Sequence, residues 1–221
     1  MIFLLVVQVE TAGSWRTKKA HLTEQACELL FHVSALKFGS FKLTSGKSSP
    51  FYIDLRIVPS YPEVFDKITD MYVLLIKNEA DEFDRVAGVP TAGLPIATLV
   101  SYKLRAPLLY VRKTAKNHGT QRAVEGVLND KDRVLLIDDL ATTGSSLLDA
   151  ARAIRSQGGI VAHAVVLIDR EQGCVSNLSS NGIKLHYLMK VSQLLETLYR
   201  KGLITHSEYQ SSIEYIKHEQ I

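Results

Sequence analysis

Residues 133–146 read RVLLIDDLATTGSS. Four apolar residues at 134–137, bounded by Arg133 and an acidic pair, predict a short, fully buried strand of a parallel sheet. The strand ends at Asp138-Asp139. A turn of small and hydroxylated residues follows, Thr142-Thr143-Gly144-Ser145-Ser146, and then a helical pattern of Leu147, Leu148, Ala151 and Ile154. A strand that passes through such a turn into a helix N-terminus offers converging backbone N–H groups and a positive dipole end, which suits a phosphate dianion. The two carboxylates before it would repel that phosphate. They suit sugar hydroxyls, a bound Mg²⁺ or a developing positive charge. An acidic pair alone is often a helix cap or a solvated turn, and so is a Ser/Thr turn. Their ordered combination behind a buried strand favours a binding site.

Working outward, 221 residues are enough for one well-buried domain with at most a small appendage. A hydrophobic fraction of 46% with 22% charged residues is ordinary for a globular protein. The net charge of +3 is too small to argue for a nucleic-acid partner. Cys27 and Cys174 show no metal-ligand spacing, so a reducing, cytoplasmic setting is expected. The seven histidines carry no paired-ligand spacing, which argues against a protein-held zinc. No apolar run approaches the roughly 18 to 20 residues that cross a bilayer, so no membrane partner is expected. Residues 1–9, MIFLLVVQV, read as an added strand or a non-native start, and the sequence leaves that choice open.

Toward the N-terminus, Ala26, Leu29, Leu30, Val33 and Leu36 predict a helix over 21–38, closed by Gly39. Alternation over 41–54, FKLTSGKSSPFYID, with Ser45-Gly46 as a turn, predicts a hairpin. Its Gly46-Lys47-Ser48 looks like the tail of a P-loop, but Phe41 stands where the first glycine would have to be. Pro62 with Val64, Ile68, Met71 and Leu75 marks a second helix. A strand at 85–89 runs into Pro90-Thr91-Ala92-Gly93 and a helix at 94–103, and 107–111 is the next strand. The polar stretch 112–125, RKTAKNHGTQRAVE, predicts a loop. Arg112, Lys113, Lys116 and His118 crowd its first seven residues, so it is expected to clamp a diphosphate. Beyond the central motif come a helix at 146–157, a strand at 160–168 ended by Asp169-Arg170-Glu171-Gln172-Gly173, a strand at 183–189 and a helix at 192–201. A capping box at Thr205 and Glu208 opens one more helix.

The central motif resembles the phosphoribosyl pyrophosphate (PRPP) motif of type I phosphoribosyltransferases. The spacing R-K-x-x-K-x-H-G at 112–119 is similar to the catalytic loop of orotate phosphoribosyltransferases, and the hairpin resembles their base-covering hood. RKTAKNHGTQRAVEG and DREQG look closest to the phosphoribosyltransferase half of uridine monophosphate synthases. The resemblance implies an α/β fold, a doubly wound, mainly parallel sheet with a small hood. Residues 1–20 would be an extension and 21–221 the phosphoribosyltransferase domain, its hood built from about 21–60 plus the C-terminal helices. It also implies transfer of phosphoribosyl from PRPP to N1 of orotate, giving orotidine 5′-monophosphate. Asp138 and Asp139 would hold the ribose, while Leu140, Ala141, Thr142, Thr143, Gly144, Ser145 and Ser146 would cradle the 5′-phosphate. Thr91 would touch pyrophosphate through its loop. Arg112, Lys113, Lys116 and His118 would bind the leaving diphosphate, with Lys116 and His118 joining the acidic pair in catalysis. Arg170, Tyr52 and Thr142 would contact orotate. Mg²⁺ would arrive on PRPP, with no metal site in the protein, and a homodimer would share its sites through the 112–125 loop.

Two departures concern Thr44 and Ala92, where bacterial members often carry lysine, so no substrate contact is expected of either. The chain has no room for a decarboxylase barrel of about 250 residues, so that activity is expected on another chain. A purine-specific relative is disfavoured by Arg170 and the R-K-x-x-K-x-H loop. A PRPP-sensing regulator is disfavoured by the lack of a basic arm beyond Arg16, Lys18 and Lys19.

Overall fold

The structure, a computed structural model, describes residues 12–42, 46, 48–112 and 123–219. Helix α1 (Ala12–His32) begins nine residues before the expected start and stops well short of residue 38. Its end explains the difference. Ser34 adopts φ +56, its N–H donates to Phe31 O, and Ala35 N–H donates to Leu30 O. This left-handed stop is usually made by glycine, so a serine here gives no warning. Leu36 and Phe38 therefore belong to strand β1 (Leu36–Lys42), which pairs antiparallel with β2 (Ser48–Ile53). The hairpin is as expected but starts earlier. Residues 43–45 and 47 of its turn, Thr44 among them, lie outside the described residues, as do residues 1–11 of the expected N-terminal extension. Residues 12–20 of that extension are part of α1.

A 3-10 turn (Leu55–Ser60) leads to α2 (Pro62–Glu79), with Pro62 at its first position and Ile68, Met71, Tyr72, Leu75 and Ile76 buried. Then follow β3 (Arg85–Gly88), α3 (Gly93–Leu104), β4 (Leu108–Val111), β5 (Val124–Glu125), β6 (Arg133–Ile137) and β7 (Leu140–Ala141). The chain continues with α4 (Ser145–Arg155), β8 (Ile160–Asp169), α5 (Cys174–Ser179), β9 (Lys184–Lys190), α6 (Val191–Arg200) and α7 (His206–Glu219). The two-residue strands β5 and β7 and the short α5 were not foreseen. The capping box is formed: Thr205 N–H donates to Glu208 Oε2 at 2.8 Å, and Glu208 N–H to Thr205 Oγ1 at 3.2 Å.

Strands run in the order β5-β4-β3-β6-β8-β9, and β7 lies along β8 beyond the end of β6. All pairings in this sheet are parallel except β4 with β5. Because side chains alternate across a strand, Leu135 and Ile137 enter one core with α1, α2, α3 and α6. Val134 and Leu136 enter the opposite core with α4 and α5. Both faces are thus covered, which is why 134–137 is a continuous apolar run. The hairpin sits outside the sheet, with α7 against β2 and the Phe51 and Tyr215 rings edge-to-face at 5.9 Å.

Candidate active site

From β3 the chain steps outward to β4, then returns past β3 to β6 and continues the other way. The switch point lies between β3 and β6, and in open α/β sheets the crevice at the carboxyl ends of such strands binds ligands. Here it is bounded by the loop after β3 and by Asp138-Asp139 after β6. The two loops nearly touch. A Cβ at Gly93 would lie 2.5 Å from Ile137 O and 2.9 Å from Asp138 Oδ1, so only glycine fits. The Gly93 N–H donates to the Asp138 carboxylate.

Asp138 is 8% exposed and Asp139 half-buried. Asp139 N–H donates to Asp138 Oδ1 at 3.0 Å, and Leu140 N–H to Asp139 Oδ1 at 2.8 Å. Burial pushes the Asp138 carboxyl well above the usual range, and the neighbouring Asp139 adds to the effect. Burial raises Asp139 as well. The charge of Arg56 acts on Asp139 but does not offset the burial, and carboxylates held this way favour a ligand that brings hydroxyl donors or a cation. Beneath them Tyr72 Oη donates to Asp138 O at 2.8 Å and lies 3.3 Å from Asp139 O. Sequence reasoning missed this residue, although a tyrosine beside the apolar positions 68, 71 and 75 of a helix needs a partner for its hydroxyl.

Beyond the pair, Leu140, Ala141, Thr142, Gly144, Ser145 and Ser146 line a small recess together with Asp138. Gly144 caps α4 at φ +83, where a Cβ would press on Cys174 Sγ at 2.8 Å. The first turn of α4 holds no acidic residue, and no side chain caps it. Ser145, Ser146 and Leu147, which lead the helix, line the recess, as an anion cradle requires. Thr143 is braced from outside, its carbonyl accepting from Asn177 Nδ2 at 2.9 Å.

Arg170 follows β8, and its N–H donates to Ala141 O at 2.8 Å. The guanidinium carbon sits 5.4 Å from the Phe51 ring centroid, and its buried Nε has no partner among the described residues. Burial lowers its pKa, but a guanidinium stays charged. Tyr52 neighbours Arg170 across the hood and is among the groups that favour its charge. The Tyr52 hydroxyl accepts from Arg56 Nη2 at 2.8 Å, and its ring lies 5.7 Å from Phe41.

Arg112 is placed where β4 ends, beside a cleft of about 330 Å³ that also borders Pro90 and Ser146. Its N–H donates to Ala123 O at 2.9 Å, and its guanidinium is ion-paired with Glu125 of β5. Thr91 is exposed in the loop after β3. Lys113, Lys116 and His118 lie outside the described residues. Ser146 thus borders both the recess at 138–146 and the cleft beside Arg112, and Arg170 joins Ala141 of the same recess through its N–H.

Residues 59–178 match the phosphoribosyl transferase domain family. An orotate phosphoribosyltransferase of Staphylothermus marinus is 43% identical over 190 residues, 86% of this chain and 92% of that protein. The chain belongs to the orotate phosphoribosyltransferase family. A solved orotate phosphoribosyltransferase from Aeropyrum pernix superposes with a TM-score of 0.67 at 32% identity, over 78% of this chain and 98% of that one. The UMP synthase of Leishmania donovani gives a TM-score of 0.81 at 33% identity, over 89% of this chain and 42% of that one. The doubly wound sheet with its hairpin is thus the orotate phosphoribosyltransferase fold. Among the described residues no helix is long and apolar enough to cross a membrane.

Proposed function

We infer that this chain transfers the 5-phosphoribosyl group of PRPP to N1 of orotate, giving orotidine 5′-monophosphate and pyrophosphate. A new bond joins N1 to the anomeric carbon as the bond from that carbon to the diphosphate oxygen breaks, and the electron pair leaves with pyrophosphate. The observation that carries the base assignment is Arg170: a buried guanidinium against the Phe51 ring of the hood, whose Nε has no partner among the described residues. A planar fork matches a planar carboxylate, and orotate brings one. The Phe51 face supports the fork from one side.

Asp138 and Asp139 hold the ribose hydroxyls, and their charge favours the oxocarbenium-like anomeric carbon. The recess at 140–146 takes the 5′-phosphate. Arg112, Lys113, Lys116 and His118 neutralise the departing diphosphate, Arg112 exchanging Glu125 for it. Thr91 lines the same path. Buried carboxylates are hard oxygen ligands that fit Mg²⁺, and no group of three or more His, Cys, Asp or Glu that could hold a metal exists among the described residues. Mg²⁺ carried by PRPP would offset the diphosphate charge. We further assign residues 21–221 to one phosphoribosyltransferase domain and the active unit to a homodimer that shares its 112–125 loops.

The test is loss of orotate absorbance on adding PRPP and Mg²⁺, repeated with Arg170→Ala. That variant should raise the orotate KM about 10- to 100-fold, since a buried group without its partner costs about 1–3 kcal/mol. The PRPP KM should stay near wild type. Equal loss of both affinities would sink the Arg170 assignment, and an inert wild-type protein would sink the activity.

A further inference from the structure

Consecutive carbonyls of a regular strand point to opposite sides, as do consecutive side chains. A single donor cannot serve two of them. Asp138 and Asp139 break this rule, because the Tyr72 hydroxyl lies 2.8 Å from Asp138 O and 3.3 Å from Asp139 O. The ladder immediately on either side of the pair is in step. Ile137 pairs with Val165 and Leu140 with Ile168, a constant offset on either side of the acidic pair. Asp138 N–H still donates to Val165 O at 3.1 Å, and Leu167 N–H to Asp139 O at 3.0 Å. The register is kept while the peptide between the two aspartates turns toward α2. That turn accompanies a bond between the two residues, Asp139 N–H on Asp138 Oδ1 at 3.0 Å.

We propose that Tyr72 is the positioning residue of the reaction: its hydroxyl pins the turned peptide and so presents both carboxylates to the vicinal hydroxyls of ribose. This deepens the reading of Asp138 and Asp139 given above and rests on it. Tyr72 is 1% exposed, from a helix rigidly packed in the core, so the pin is fixed before substrate arrives. It touches no substrate and acts only through the backbone it holds. Asp138 O has Tyr72 as its hydrogen-bond donor, so deleting the hydroxyl leaves that buried carbonyl to relax toward the strand geometry.

Tyr72→Phe removes the hydroxyl at constant shape. The expected result is a rise in the PRPP KM of roughly 10- to 100-fold, the scale on which losing an outer hydrogen bond to a ligand-holding group acts. The orotate KM should be unchanged. Tyr72→4-aminophenylalanine restores a donor at the same place and should recover most of the PRPP affinity, which a general loss of packing would not allow. A PRPP KM that stays at wild type in Tyr72→Phe, or orotate and PRPP affinities that fall together without rescue, would overturn the proposal. Should Tyr72→Phe fold poorly, the 4-aminophenylalanine variant alone decides, by holding or losing PRPP affinity. Asp139→Asn separates the two layers. If it leaves PRPP affinity intact, the ribose assignment falls and the role of Tyr72 with it. If it weakens PRPP while Tyr72→Phe does not, only the Tyr72 role falls.

Discussion

Asp138 concentrates the tension between stability and activity. It is nearly buried and accepts from Asp139 N–H and Gly93 N–H. Burial, helped by Asp139, holds its carboxyl well above the usual range. The folded state therefore binds a proton more tightly than the unfolded chain does, and stability falls as pH rises from the ordinary carboxylate value through the raised one. An amide keeps the acceptor oxygen and loses the charge. Asp138→Asn is expected to melt higher than wild type at pH 8, with the gap closing as pH falls toward 4. Its activity should drop by orders of magnitude over the same range. Melting curves at both pH values check this, and a lower melting point at pH 8 would show that the carboxylate is not the cost.

At the scale of elements, one carboxylate holds the first turns of α1. Glu79, at the end of α2, accepts from Trp15 Nε1 at 2.9 Å and Lys19 Nζ at 2.8 Å, both on α1. His186 Nδ1 of β9 lies 3.4 Å from its other oxygen. His186 in turn stacks on His163 of β8, with ring nitrogens 2.9 Å apart, and His163 Nε2 reaches Asp81 at 3.1 Å. Burial works to raise the Glu79 carboxyl, but the bonds from His186, Lys19 and Trp15 outweigh it and bring it down to about 2. A depressed carboxyl contributes stability that is present above its ordinary value of 4.5 and lost as pH falls toward about 2. Trp15 is the chain's single tryptophan and reports on its own contact. Its emission should shift red as pH drops through that window, and Glu79→Gln should show a shifted spectrum already at neutral pH. An unchanged spectrum in Glu79→Gln would mean that apolar packing alone seats α1.

At the scale of the whole molecule, the proposed dimer turns on the 112–125 loop. Its two ends belong to the sheet, with Arg112 N–H on Ala123 O and Val124-Glu125 paired to β4 at the sheet's edge. A loop rooted at an edge can close over its own crevice or a neighbour's, and the proposed dimer takes the second course. Arg170→Ala damages a base site and Lys116→Ala damages a loop. In a mixed dimer with exchanged loops, one site collects both defects and the other has none. Random reassortment makes half the dimers mixed, so activity should recover to about a quarter of wild type by symmetry counting. Flat activity after co-refolding, with mixed dimers confirmed by mass, would show that each loop serves its own subunit.

What the sequence determined by itself is whatever local chemistry announces. Val134 to Ile137 had to be a strand covered on both faces, since no other element buries such a run so briefly. The turn into α4 and the capping box at Thr205 were equally legible, because small, hydroxylated and acidic residues at fixed offsets act on their own backbone. Tertiary structure decided everything that depends on a distant partner. Strands β5 and β7 are two residues long and exist only because β4 and β8 offer them a ladder. The stop of α1 at Ser34 follows from the chain having to turn into β1, against the residue's own preference. Arg112 could be read as a cation for diphosphate, but not as one already held by Glu125. Tyr72 could be read as a core residue, but not as the donor that reaches two carbonyls sixty-six and sixty-seven positions away. Spacing encodes which groups share an element. Only the packing of elements sets which groups meet, since contacts so remote in sequence leave no local pattern behind.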